Sequence, residues 1–297
     1  MSSAPSAPRI SAPPRTPAGM PPNNGAASST PKPATPVAIR KAGEKAGPPR
    51  ILLPAVEGWG KTSLAAFAPS PIFLQARGET GLETLRRQNL VPNVDTFETC
   101  ETWAGTLASI DYLIENDTGH KTLVLDAMGG FERLCHEEVC RRDFNGDWGE
   151  KGFGAFQKGY DLSVHDWVKL LVAIDKLRDV RQMTTIIISH CKVETFKNPE
   201  GADFDRYVSD CHRKTWSVTH KWSDAVLFGK FYTVVQAEKG KRGKGIGGTE
   251  RVLYTQHSDV RDAKNRYGMP EEIDIPNNPA EAWSTIEQFL KPKGVQQ

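Results

Sequence analysis

The stretch Ala55-Val56-Glu57-Gly58-Trp59-Gly60-Lys61-Thr62-Ser63 follows the apolar run Ile51-Leu52-Leu53 and precedes a helical pattern. Small residues at Gly58 and Gly60 let the backbone curl until several N–H groups point at one spot, and a helix start adds partial positive charge there. Such a cradle suits a polyphosphate. Lys61 is expected to reach the β- and γ-phosphates of ATP, and the Thr62 hydroxyl to hold Mg2+. All of Ala55 to Ser63 are expected nucleotide contacts. Trp59 is bulky for its place, and the sequence alone supplies no reason for it.

A magnesium site of this kind needs a carboxylate at the tip of a nearby strand. Thr122-Leu123-Val124-Leu125 is an apolar run that ends in Asp126. An acid there could equally cap a helix, but beside a phosphate-binding loop (P-loop) it is expected to anchor the metal's water shell. Ala127 follows it, so the base that activates water must come from elsewhere.

Apolar runs and helical patterns alternate from Arg50 onward, which predicts an α/β fold with a mainly parallel sheet and helices on both faces. Strands are expected at 51–53, 72–74, near 94–97, at 122–125 and at 185–189, the last ending at His190. Helices are expected near 102–115, 131–142, 162–182 and 279–290. Residues 191–221 read as polar and irregular. A strand region begins at 225–228, and a C-terminal hairpin is expected to pair 232–237 with 251–255.

Residues 1–47 hold ten of the 21 prolines and almost no large apolar side chains. Such a segment cannot bury enough surface to offset chain entropy, which predicts a disordered tail. The expected domain is 48–292, with 293–297 as a flexible end. Of 38 basic and 36 acidic residues, seven basic and one acidic fall in 1–50, leaving 31 against 35 in the body. Nucleic-acid binding would therefore need local patches. No apolar run approaches the ~18 residues of a membrane helix, and no signal peptide is evident. The five cysteines lack paired spacing, which suits a reducing cytoplasm better than disulfides or zinc.

The order of P-loop, Glu79, Asp126 and Ser189-His190 resembles the RecA-like core ATPases. The likeness covers about 48–292 and is nearest to phage-encoded AAA-type nucleotide-binding proteins linked to single-strand annealing and recombination. It includes Arg77-Gly-Glu-Thr-Gly-Leu-Glu83, Gly146-Asp-Trp-Gly-Glu-Lys151 and Thr195-Phe-Lys-Asn-Pro-Glu-Gly201. The resemblance implies a catalytic glutamate just after the second strand, which points to Glu79, and a γ-phosphate sensor at His190. It places the single-stranded DNA site in 191–221, where Lys192, Lys197, Arg206, Arg213, Lys214 and Lys221 interleave with Phe196, Phe204, Tyr207 and Trp216. Cations there would track phosphates while rings stack on bases. The basic turn Lys239–Lys244 is a further expected DNA contact.

Ala263-Lys264-Asn265-Arg266-Tyr267-Gly268 resembles the element with which RecA-like hexameric motors reach a neighbour's ATP. It implies that Lys264 and Arg266 act across a subunit interface, Arg266 as an arginine finger. The implied partners are single-stranded DNA, further copies in a ring or filament, and a single-strand-binding protein, in the host cytoplasm. Two rival readings are a nucleotide-gated DNA-binding module with negligible hydrolysis and a P-loop kinase for a small molecule.

Overall fold

The computed structural model describes residues 47–236 and 244–291. In chain order the elements are β1 (Arg50–Ala55), α1 (Lys61–Ala66), β2 (Pro71–Gln75), α2 (Gly81–Arg87), β3 (Asp95–Thr96), α3 (Trp103–Glu115), β4 (Thr122–Asp126) and α4 (Met128–Asp143). Then come α5 (Lys158–Arg181), β5 (Thr184–Phe196), β6 (Phe204–Ser209), α6 (Arg213–Trp222), β7 (Ala225–Val226), β8 (Phe228–Gln236), β9 (Lys244–Tyr254), β10 (Lys264–Asn265), β11 (Glu272–Ile275) and α7 (Pro279–Leu290).

Strand side chains alternate between two faces, so a strand buried on both sides must be apolar throughout. That is why the central strands read as continuous apolar runs. Ile51 and Leu53 join Val124, Ile186 and Ile188 under Leu64 of α1, Leu82 of α2 and Trp283 of α7. Leu52, Leu123, Leu125 and Ile187 face the opposite layer, built from Ile110 of α3, Phe131 of α4, Trp167 of α5 and Trp216 of α6. Helices therefore cover both faces.

The sheet runs β11-β9-β8-β1-β5-β4-β2-β3. Pairing is parallel from β8 to β3 and antiparallel where β9 and β11 extend the β8 edge. This is a RecA-like α/β architecture with a C-terminal hairpin. β5 lies between β1 and β4, with Ala55 level with His190 and Leu125 level with Ile187. The P-loop, His190 and Asp126 consequently emerge at the same edge of the sheet.

Two expectations need correction. Residues 191–221 are not irregular: β5 runs on past His190 to Phe196, pairs antiparallel with β6, and is followed by α6. The hairpin arm is exposed along Val193, Glu194 and Thr195, so it carries no apolar alternation. Its backbone ladder holds it instead, with cross-strand help from Phe196 against Phe204 and from Thr195 donating to Asp205. In the C-terminal hairpin, residues 228–231 pair with 251–254, and 233–236 pair with 244–247. An irregularity between Phe231 and Thr233 shifts the register away from the expected one. The tail before Gly47, Ala237, most of the basic turn Lys239–Lys244 and residues 293–297 lie outside the described residues. Among the described residues no helix is long and apolar enough to cross a membrane.

Candidate active site

The chain leaves β1 at Ala55 and turns through Gly58 and Gly60, at φ 71° and 95°, before α1 begins at Lys61. Left-handed backbone at Gly60 is a conformation that side-chain-bearing residues adopt only with strain. The Trp59 side chain does not enter the phosphate cradle. It is fully buried beneath the C-terminal hairpin, and its indole N–H donates to Lys230 O over 3.1 Å. Gly229 is the matching gap, because a Cβ there would fall 2.6 Å from the Trp59 ring. Trp59 thus bolts the loop to β8, a role set by contacts 171 residues away.

Lys61 is buried at the base of the loop, its Nζ donating to Ala55 O and Val56 O at 3.1 and 3.3 Å. Burial lowers its pKa, while the carboxylates of Asp126, Asp210 and Glu57 oppose that. Thr62 Oγ1 donates to Asp126 Oδ2 over 2.9 Å. Asp126 is 3% exposed, and burial pushes its pKa up to about 6 against the opposing Thr62 hydrogen bond. Nearby Glu79 adds to that rise; His190 and Lys61 resist it.

Glu79 sits after the turn that follows β2, where Gly78 takes φ 96°. Its Oε1 lies 3.8 Å from His190 Nε2. The carboxylate raises the imidazole pKa, and partial burial works against it. Arg77 points away, donating to Glu137 of α4 over 2.7 Å. The fold therefore brings Lys61, Thr62, Asp126, Glu79 and His190 together at one edge of the sheet.

These residues fit a magnesium-bound nucleoside triphosphate. The hard oxygens of Thr62 and Asp126 already converge, as Mg2+ requires. Lys61 Nζ rests on two backbone carbonyls, contacts that a phosphate oxygen can replace. Asp210 was not anticipated. It follows the β5–β6 arm, its N–H donates to His190 O over 3.1 Å, and its carboxylate acts on both Lys61 and His190. No local signal marks it, since only the return of the hairpin brings it there. Arg251 behind the loop was also missed; the one cue is a lone cation heading the apolar run Val252-Leu253-Tyr254.

The expected DNA contacts are dispersed and largely engaged. Lys192 pairs with Glu194 at 2.8 Å, Lys197 with Asp203 at 2.6 Å and Arg206 with Asp262 at 2.8 Å. Lys214 pairs with Asp161. Lys192, Arg206, Arg213, Tyr160 and Trp216 do share a cleft of ≈ 650 Å³ that Asp210 also lines. Lys221 lies apart, in the last turn of α6.

Lys264 and Arg266 are not brought to the chain's own P-loop. Lys264 Nζ donates to His220 O, Lys221 O and Ser223 O at 2.8, 3.0 and 2.7 Å, closing the C-terminal end of α6. Within the chain, then, Lys264 is engaged on its own backbone carbonyls. Unsatisfied carbonyls at a helix end attract a cation, and β10 carries Lys264 there by pairing with β7. Arg266 donates to Asp224 over 3.0 Å and stays half exposed. Asp224 is shared with Arg50, at the end of β1 remote from the P-loop.

Residues 47–267 match the profile of an AAA domain. No curated protein matches the chain. With that match covering most of the chain and the phosphate-site residues assembled as described, the chain belongs to the AAA domain family of P-loop, nucleotide-binding ATPases.

Proposed function

We propose that the protein is a magnesium-dependent ATPase that couples hydrolysis to its grip on single-stranded DNA, in annealing or strand exchange. The observation that carries this reading is the continuity of β5. One strand bears His190 beside Glu79 and Asp126 and then runs to Phe196 as half of the exposed arm. A change at the γ-phosphate therefore has a rigid route to the cleft containing Lys192, Arg206 and Trp216.

In this reading the loop N–H groups and Lys61 bind the phosphates, while Thr62 and Asp126 hold Mg2+. Bound Mg2+ supplies charge neutralisation at the phosphate oxygens. Glu79 accepts the proton of the attacking water, and His190, its imidazole pKa raised by Glu79, donates to the γ-phosphate. Arg266, exposed on Asp224, is the residue we assign to a neighbouring subunit's nucleotide in a ring or filament. Further partners of that assembly, such as a single-strand-binding protein, belong to the same proposal.

The test is phosphate release with and without single- and double-stranded DNA, alongside DNA binding over a salt series. Stimulation by single strands, with affinity falling as salt rises, supports the reading. Hydrolysis indifferent to DNA, with no DNA binding, removes the DNA part and leaves the ATPase. Transfer of phosphate to a small acceptor would favour a kinase.

A further inference from the structure

A buried cation braces the P-loop from behind. Arg251 on β9 is 8% exposed. Its Nη1 donates to Trp59 O over 3.0 Å, its Nη2 donates to Pro276 O ahead of α7, and its Nε has no hydrogen-bond partner among the described residues. The guanidinium lies over the Trp59 ring, 5.5 Å from its centre. A Cβ on Gly60 would fall 2.8 Å from Nη1, so the cation touches the peptide that opens α1.

Buried arginines are ordinarily paired with carboxylates, because an unpaired charge in a low-dielectric site is costly. Even the partly buried Arg50 is paired, with Asp224 and Asp175. Among the described residues Arg251 has no such partner, and burial lowers its pKa with no acid to oppose it. Carbonyl oxygens orient the guanidinium without neutralising it. The nearest group of the proper sign in the function already described is the polyphosphate on the other side of the Trp59–Gly60 peptide.

We propose that Arg251 is the positioning residue of the P-loop: it fixes the Trp59–Gly60 peptide and supplies a charge that the bound polyphosphate neutralises. Its contribution then grows with the charge of the ligand. ATP gains from it and AMP gains little, whereas a packing role would affect both equally. The inference rests on nucleotide binding at the P-loop, so ATP binding by the wild type is the control that separates failure of that reading from failure of this one.

The experiment compares dissociation constants for ATP and AMP by calorimetry in wild type, Arg251→Gln and Arg251→Lys. Gln retains a donor for Trp59 O but loses the charge; Lys retains the charge but loses the fork. For a unit charge within about 10 Å at an effective dielectric near 20, Arg251→Gln should weaken ATP on the order of tenfold or more. AMP should change far less, and Arg251→Lys should recover most of the loss. Equal losses for ATP and AMP, or an unchanged ATP affinity in folded Arg251→Gln, would overturn the proposal. Should both variants fail to fold, the wild type still decides by NMR. The Arg251 Nε–H resonance should move on adding ATP and stay in place with AMP; a resonance indifferent to ATP would overturn the assignment.

Discussion

The Thr62 hydroxyl donates to the Asp126 carboxylate over 2.9 Å across 64 residues of chain, tying the first turn of α1 to the tip of β4. Neither residue is adjacent to the other's strand, since β5 separates β1 from β4. The bond therefore joins these two residues before any ligand is considered. It also leaves a carboxylate in a place where ionisation is costly.

That cost sets a stability signature. Burial holds the Asp126 pKa near 6, above the ordinary carboxylate value. A carboxyl raised in this way favours the fold when protonated, so its contribution is present below about pH 4 and lost as pH rises through about 6. Asp126→Asn should thus stabilise the nucleotide-free protein at pH 7.5, by up to about 3 kcal/mol, and do little at pH 4. Magnesium affinity should fall in the same variant. In the wild type that affinity should climb between pH 5 and 7 as the carboxylate ionises. Urea titrations at the two pH values and a magnesium titration check both arms; equal stability of variant and wild type at pH 7.5 would contradict the burial argument.

Glu79 and His190 make a second, separable prediction. Glu79 raises the His190 pKa, so the favourable pairing is complete below the ordinary imidazole value and disappears as pH rises through the raised one. Glu79→Gln should bring the imidazole pKa down, as read from its carbon-bound proton in an NMR titration. The same variant should bind ATP yet hydrolyse it roughly 10²- to 10⁴-fold more slowly if Glu79 is the base. An unaltered His190 titration would show that the 3.8 Å approach carries no interaction.

Legibility in the sequence followed locality. The P-loop, the apolar run ending at Asp126 and the helix at Pro279–Leu290 are written in consecutive residues, and each forms where its pattern says. Trp59 made sense only once Gly229 and Lys230 were beside it, contacts that no local window contains. The β5–β6 arm escaped detection because its β5 half is exposed on both faces from Lys192 to Phe196, which removes the alternation that normally marks a strand. The intrachain contacts of Lys264 were hidden for a related reason. Its motif fits a residue reaching outward, but the carbonyls it serves belong to a helix that polar, threonine-bearing residues 213–222 had concealed. In each case the missing information was tertiary.

Lys264 gives a prediction about folding rather than assembly. Lys264→Met removes the donor shared by three carbonyls at the end of α6. The expected loss is about 1–3 kcal/mol, because polar groups are left without a partner. The denaturation midpoint should fall by the same amount at every protein concentration. A variant with an unchanged midpoint but impaired activity would instead argue that Lys264 works across an interface.

Arg266 gives the opposite expectation. Asp224 keeps Arg50, bonded through Nε and Nη2 at 3.1 and 2.9 Å, when Arg266 is removed. Arg266→Ala should therefore change stability by less than about 1 kcal/mol, as for other half-exposed ion pairs. ATP binding should persist, since the P-loop is intact and distant. If Arg266 completes a neighbour's site, turnover should drop by roughly 10³-fold or more. Activity per subunit in the wild type should also rise with concentration as subunits associate. Mixing Arg266→Ala with Lys61→Ala separates the two geometries. Some interfaces would then join an intact P-loop to an intact finger, and partial activity would return. No recovery is possible when both residues serve one subunit's nucleotide. Full activity of Arg266→Ala alone would make Arg266 a surface partner of Asp224 and nothing more, leaving the nucleotide site unaffected.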